Sequence, residues 1–366
     1  MKITSVDLTP VDVPYRPELG TVVTYVLTAS SARHVMVQVR TDEGITGLGE
    51  AIPRPFVYGE TMQSVIGAIE NVLFPAMRGQ DPRDVEKIWS QWSRMRGNWS
   101  AKTALDTALH DIIGKQAGLP LYKMLGGYAD GRIPVSMPIA IGETAHMVKQ
   151  AVQAIEAGFQ GIKMKIGKDL RSDLRNIAAI RHAVGDEVFL YVDANTAYTA
   201  GDALRAILKF EAHGIGLVEE PVAIGDFDGR ARLARAIRTP ILLDESINEL
   251  ADVLREIKLG SAGALSLRNA RSGFTLSRKY VGLAEAGNVP CMIGSHRELG
   301  VGTAANAHLG AAYACMAYPA ELGVHVWVED GLLTEPLRIE RGYLYLPSGP
   351  GLGVELDARK LARYRI

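Results

Sequence analysis

From Pro134 onward the chain repeats one pattern, a short apolar stretch followed by a longer amphipathic one. Strand-like runs stand at 135–141, 161–166, 188–192, 215–220, 241–244, 262–267 and 289–293. Helical periodicity fills the intervals, as at 144–157, 170–184, 201–213 and 247–259. Strands that alternate with helices become parallel neighbours in one sheet. Seven or eight such units predict an α/β barrel rather than an open sheet. The open alternative would place a phosphate loop after its first strand, and no G-x-G-x-x-G stands there.

The remaining chain reads differently. Residues 32–39 and 45–50 are strand-like and flank the turn Thr41-Asp-Glu-Gly44, and about 60–126 is helical, with Leu105, Ala108, Leu109 and Ile112 on one helical face. The expected organisation is an α+β domain over 1–130 and the barrel over 131–333. A tail from about 334 carries a hairpin strand over 339–346 that returns toward the first domain.

Composition narrows the partners. Lysines and arginines number 40 against 41 acids, a net charge of −1 that advertises neither nucleic acid nor anionic membrane. Cys291 and Cys315 are too few for a disulfide framework. No signal peptide is read at the N-terminus, and the apolar run 309–318 is about half of the roughly 20 residues of a membrane span. A soluble, cytoplasmic protein acting on a small molecule is expected.

The ends of the expected strands carry the chemistry, because barrel active sites sit at the C-terminal strand ends. Lys163 and Lys165 are two apart and share a face. Asp193 with Asn195, Glu219 with Glu220, Asp244 with Glu245, and Arg268 follow on successive strands. Asp193, Glu219, Asp244 and Arg268 are separated by 26, 25 and 24 residues, about one βα unit each. A single acid at such a place is often no more than a helix N-cap. Three in phase converge on one point, where carboxylates repel unless a cation lies among them. Oxygen donors without histidine or cysteine favour Mg²⁺, then Mn²⁺. Two ammonium groups on one inward face also need anions beside them.

In order, the segments Thr41-Asp-Glu-Gly-Ile-Thr-Gly-Leu-Gly-Glu50, Ala104-Leu-Asp-Thr-Ala-Leu-His-Asp-Ile-Ile-Gly-Lys115, Pro120-Leu-Tyr-Lys-Met-Leu-Gly-Gly127, Lys163-Met-Lys165, Asp193-Ala-Asn195, Glu219-Glu-Pro221 and Asp244-Glu-Ser246 span the chain. This set resembles the enolase superfamily, in its muconate-lactonizing branch. The resemblance implies a modified (β/α)7β barrel capped by an α+β domain built from both termini. It also implies Mg²⁺ on Asp193, Glu219 and Asp244, with Glu245 behind them, and proton chemistry next to a substrate carboxylate through an enolate. Lys165 is the implied acid/base, with Lys163 supporting it, and a homo-oligomer is the implied assembly. Two cap loops, about 15–31 and 52–58, are the implied source of specificity.

Arg268 departs from the pattern, since many relatives carry a second catalytic lysine there. An arginine is no ordinary base but binds carboxylates in a bidentate fashion. A clamp for a second substrate carboxylate is therefore expected, and two-base racemization or epimerization is disfavoured. His296 stands where another branch uses a histidine oriented by an acid on strand six. Arg268 and Asn269 occupy that strand here, so His296 is read as a pocket wall or hydrogen-bond donor before a base. Asn195 and Glu298 complete the expected substrate-binding set. Residues 321–330 lack the Asp-x-Asp with which dipeptide epimerases of the family hold an ammonium group. The expected reaction is cycloisomerization of a dicarboxylate, cis,cis-muconate to muconolactone. The alternatives are o-succinylbenzoate synthesis or sugar-acid dehydration, and then a non-catalytic binding protein, which the three acids and both lysines disfavour.

Overall fold

The computed structural model describes residues 1–16, 22–23 and 28–366. Much of the expected cap loop 15–31 lies outside the described residues. β1 (Ile3–Pro14), β2 (Ser31–Thr41) and β3 (Thr46–Ala51) form an antiparallel sheet in the order β1-β2-β3. Helix α1 (Trp99–Ala117) lies across it and buries Leu105, Ala108, Leu109 and Ile112, the face expected from their spacing. The approach needs glycine. A Cβ on Gly47 would stand 2.0 Å from the Ala108 carbonyl oxygen, and one on Gly49 2.0 Å from that of Ala104.

Two acids of α1 tie this layer to the rest of the chain. Asp106 accepts from the Phe274 and Thr275 amides at 2.6 and 3.1 Å. Asp111 accepts from the Leu48 and Leu352 amides at 2.9 and 2.7 Å. Both sit in the segment 104–115, whose charges thus cross-link the fold.

Beyond β4 (Arg132–Pro134), seven parallel strands curl in sequence order: β5 (Ser136–Ile139), β6 (Gly161–Lys165), β7 (Phe189–Asp193), β8 (Val218–Glu219), β9 (Ile241–Leu243), β10 (Ala264–Leu267) and β11 (Cys291–Ile293). Helices α2 (Thr144–Glu156), α3 (Leu170–Val184), α4 (Ala200–Phe210), α5 (Phe227–Ala236), α6 (Leu250–Leu259), α7 (Asn269–Ala286) and α8 (Gly300–Ala312) connect or follow them. The gap between β11 and β5 is bridged by residues 316–321. Met316 bridges Cys291, Ala320 bridges Val135, and the Glu321 amide donates to the Ile293 carbonyl at 2.8 Å. The arrangement is a modified β/α barrel beside an antiparallel cap sheet, as the resemblance implies. Among the described residues no helix is long and apolar enough to cross a membrane.

The tail differs from expectation in its pairing. Its hairpin, β12 (Ile339–Glu340) and β13 (Tyr343–Tyr345), adds to β4 through Leu344 opposite Ile133, not to the N-terminal sheet. Among the described residues the tail meets that sheet at its end, where α9 (Ala358–Tyr364) is followed by a bridge from Arg365 to Val11.

Candidate active site

Parallel register sets the site. Lys165 on β6 stands opposite Asp193 on β7, and Asp193 opposite Glu219 on β8. The strand-end acids are thus neighbouring rungs, and Asp193, Glu219 and Asp244 are all buried. None of them is a helix cap: the residue ahead of α6 is Glu249, five positions beyond Asp244. Behind them, Glu220 at φ +37° turns its carboxylate to the Asp244 and Ser246 amides at 2.6 and 2.9 Å, fixing the end of β9 against β8. A non-glycine residue at such a φ costs about 1–3 kcal/mol, and the bonds of its side chain hold it there.

Lys163 is wholly buried, with its ammonium 2.9 Å from Asp193, 2.7 Å from Glu219 and 2.8 Å from Glu321. Desolvation alone would lower its proton affinity. The three carboxylates outweigh it and hold the ammonium well above the ordinary lysine range. The excess of negative charge acts on Glu219 in the same sense: burial first, then Asp193, push its carboxyl well up. Burial opposes ionisation of Asp193 too, but Lys163 and Lys165 prevail and hold it well below the usual carboxylate range. Lys165 contacts Asp193 and donates to Asn195 Oδ1 at 2.9 Å; Asn195 in turn donates to Glu245 at 2.9 Å. Burial and then the neighbouring Asp244 push Glu245 up to about 8.

Arg268 has partners other than those expected. Its Nη2 lies 3.1 Å from Glu219 and also bonds Asp244, while Nη1 donates to the Ser295 carbonyl. As it stands it bridges two strand-end acids, with Nε alone lacking a partner, and it also lines the cavity beside Lys165. Arg271, one helical turn on, takes Asp244 Oδ1 at 2.7 Å.

His296 has no acid behind it. Its Nε2 is 3.2 Å from the Tyr58 hydroxyl, and its buried Nδ1 has no partner. Burial, then the charges of Arg268 and Arg54, hold the imidazole neutral, well below the ordinary histidine range. Glu298 does not line the cavity. It is buried beneath the loop after β11 and accepts from Ser295 Oγ at 2.5 Å and the His296 amide at 2.8 Å.

These groups floor a cavity of about 470 Å³ lined by Lys165, Asn195, Asp244, Glu245, Arg268, His296 and Glu321, and roofed by residues of the turn 53–57. Glu321, Arg271, Tyr58 and Arg54 are site residues that the reading of strand ends missed. Glu321 follows an irregular segment instead of a periodic strand, so no phase marks it. Tyr58 and Arg54 belong to the expected cap loop 52–58, and only that placement could have flagged them.

The donor set suits a hard divalent cation. Three carboxylates share one dry pocket, Glu219 is pushed toward protonation, and its Oε2, though near Lys163, is buried without a hydrogen bond. Lys163 and Arg268 stand among the acids, and among the described residues no three metal-binding side chains are drawn together as they stand. An ion there would replace ammonium and guanidinium contacts.

Residues 5–126 match the mandelate racemase / muconate lactonizing enzyme N-terminal domain, and residues 146–360 the enolase C-terminal domain-like family. The chain is 32% identical over 344 residues to a chloromuconate cycloisomerase of Cupriavidus pinatubonensis, covering 92% of each. The muconate lactonizing enzyme from Mycobacterium smegmatis, solved with muconolactone, superposes with a TM-score of 0.96 at 36% identity over 100% of both chains. A dipeptide epimerase from Enterococcus faecalis, solved with Mg and L-Leu-L-Tyr, gives 0.92 at 31% identity over 97% of this chain and 100% of that one.

Proposed function

The chain belongs to the enolase superfamily, in its muconate-lactonizing branch, and on that footing we propose that it is a cycloisomerase converting cis,cis-muconate to muconolactone. Relatives with cycloisomerase and with epimerase activity are about equally similar, so the reading rests on the site. One observation carries it: the residue that follows β10 and shares the cavity with Lys165 is an arginine, Arg268. A two-base racemase or epimerase needs a second group there that can take or give a proton, and this one does neither.

Lactonization needs only one. Asp193, Glu219 and Asp244 would hold Mg²⁺. When bound, the ion supplies positive charge to the substrate carboxylate as electron density gathers on it. Addition of the remote carboxylate to the conjugated system leaves a carbanionic carbon, and Lys165 delivers a proton to it. Asn195 holds the Lys165 ammonium in place at 2.9 Å. Lys163, locked among three carboxylates, contributes charge and not a proton. Dehydration would need a further donor for a leaving hydroxyl, and neutral His296 with Tyr58 as its one partner is poorly suited to that. The test is loss of muconate absorbance with Mg²⁺, run beside dipeptide and N-succinyl amino acid epimerization. Muconate turnover without epimerization is expected; epimerization without muconate turnover overturns the reading.

A further inference from the structure

Arg54 and Arg297 face the same cavity from different parts of the chain, Arg54 ahead of the helical turn Pro55–Tyr58 and Arg297 in the loop after β11. Arg268 and Arg271 are paired with Asp244. By contrast, Arg54 Nη2 and Arg297 Nη1 are buried nitrogens with no hydrogen-bond partner, and neither guanidinium pairs with a carboxylate among the described residues. Burial, then the adjacent Arg297, push Arg54 down to about 9, and Glu298 offsets only part of this. Two like charges side by side on a cavity wall, each with a buried unpaired nitrogen, are unfavourable unless an anion joins them.

The loop is built to hold Arg297 there. It takes φ +64°, its amide donates to Ser295 Oγ at 2.8 Å, and Ser295 Oγ is itself held by Glu298. Glu298 therefore braces the loop and, among the described residues, makes no ion pair with the guanidinium. Pro138, Ile139, Val57 and Trp327 add an apolar wall to the same cavity.

We infer that Arg54 and Arg297 form a subsite for the carboxylate remote from Lys165, which selects dicarboxylates with a hydrocarbon middle. The inference deepens the lactonization reading and rests on it for which end reacts. It gives Arg54 and Arg297 the role the sequence suggested for Arg268.

Calorimetric titration of the Mg²⁺-supplemented protein with adipate and hexanoate tests it. The two share six carbons and differ in the second carboxylate, and neither has the double bonds that turnover needs. The wild type should prefer adipate by about tenfold or more, the scale of a charge-assisted pair. Arg54→Gln and Arg297→Gln should each lose that preference and keep hexanoate affinity, and either one alone suffices if the other fails to fold. Equal losses for both ligands, no loss, or no preference in the wild type overturns the subsite. The two readings separate cleanly. Arginine-dependent adipate binding without muconate turnover sinks only the reaction, and turnover with arginine-independent binding sinks only the subsite.

Discussion

Lys163 Nζ and Glu219 Oε2 lie 2.7 Å apart, and both side chains are fully buried. The same ammonium also serves Asp193 and Glu321, so one cation neutralises part of three acids. Removing one partner of a buried pair costs about 3–5 kcal/mol. Lys163→Met should therefore unfold at markedly lower urea, and Mg²⁺ should recover part of the loss by binding the native acids. A wild-type midpoint would contradict this arrangement.

Metal dependence follows from the acids themselves. Exhaustive chelation should abolish turnover, and Mg²⁺ or Mn²⁺ should restore it. The wild-type melting temperature should rise with added Mg²⁺, while that of Glu219→Gln stays flat over the same range. Full activity after metal removal would sink the assignment of Asp193, Glu219 and Asp244.

His296 should be dispensable for proton transfer. General acid or base catalysis contributes about 10²–10⁴-fold, so His296→Gln should lose less than about 10²-fold in kcat. A larger loss would put the dehydration-type role of His296 back in contention.

The site was legible where the fold is periodic. Asp193, Glu219 and Asp244 fall one βα unit apart, and parallel register turns that spacing into adjacency. Glu321 was not, because the segment that closes the barrel makes isolated bridges in place of a regular strand. Spacing put Arg268 at the mouth but not its partners, because what a guanidinium binds depends on which acid lies nearer in space. The tail hairpin was legible as a strand but not in its pairing, since β4 is only three residues long and gives a weak pattern.

Acid should destabilise the protein through His308. Its Nδ1 accepts from the Tyr122 amide at 3.3 Å and its Nε2 donates to the Leu352 carbonyl at 3.0 Å, so the neutral ring is fully paired. Burial holds its pKa down to about 4, against about 6.5 in the unfolded chain. The depressed folded value means that this contribution is complete above pH 6.5 and is lost as pH falls through 4. It amounts to about 3 kcal/mol. Urea midpoints from pH 7 to 4.5 should fall less steeply for His308→Gln than for the wild type; parallel curves would contradict the assignment.

The central claim is that one lysine, on one face, carries the proton. Turnover of cis,cis-muconate in D₂O, with the labelled carbon of the lactone read by NMR, tests it most directly. A single deuterated stereoisomer is expected from the wild type, and no product from Lys165→Ala. Deuterium on both faces, or continued turnover in Lys165→Ala, would contradict it and point to another proton carrier in the cavity.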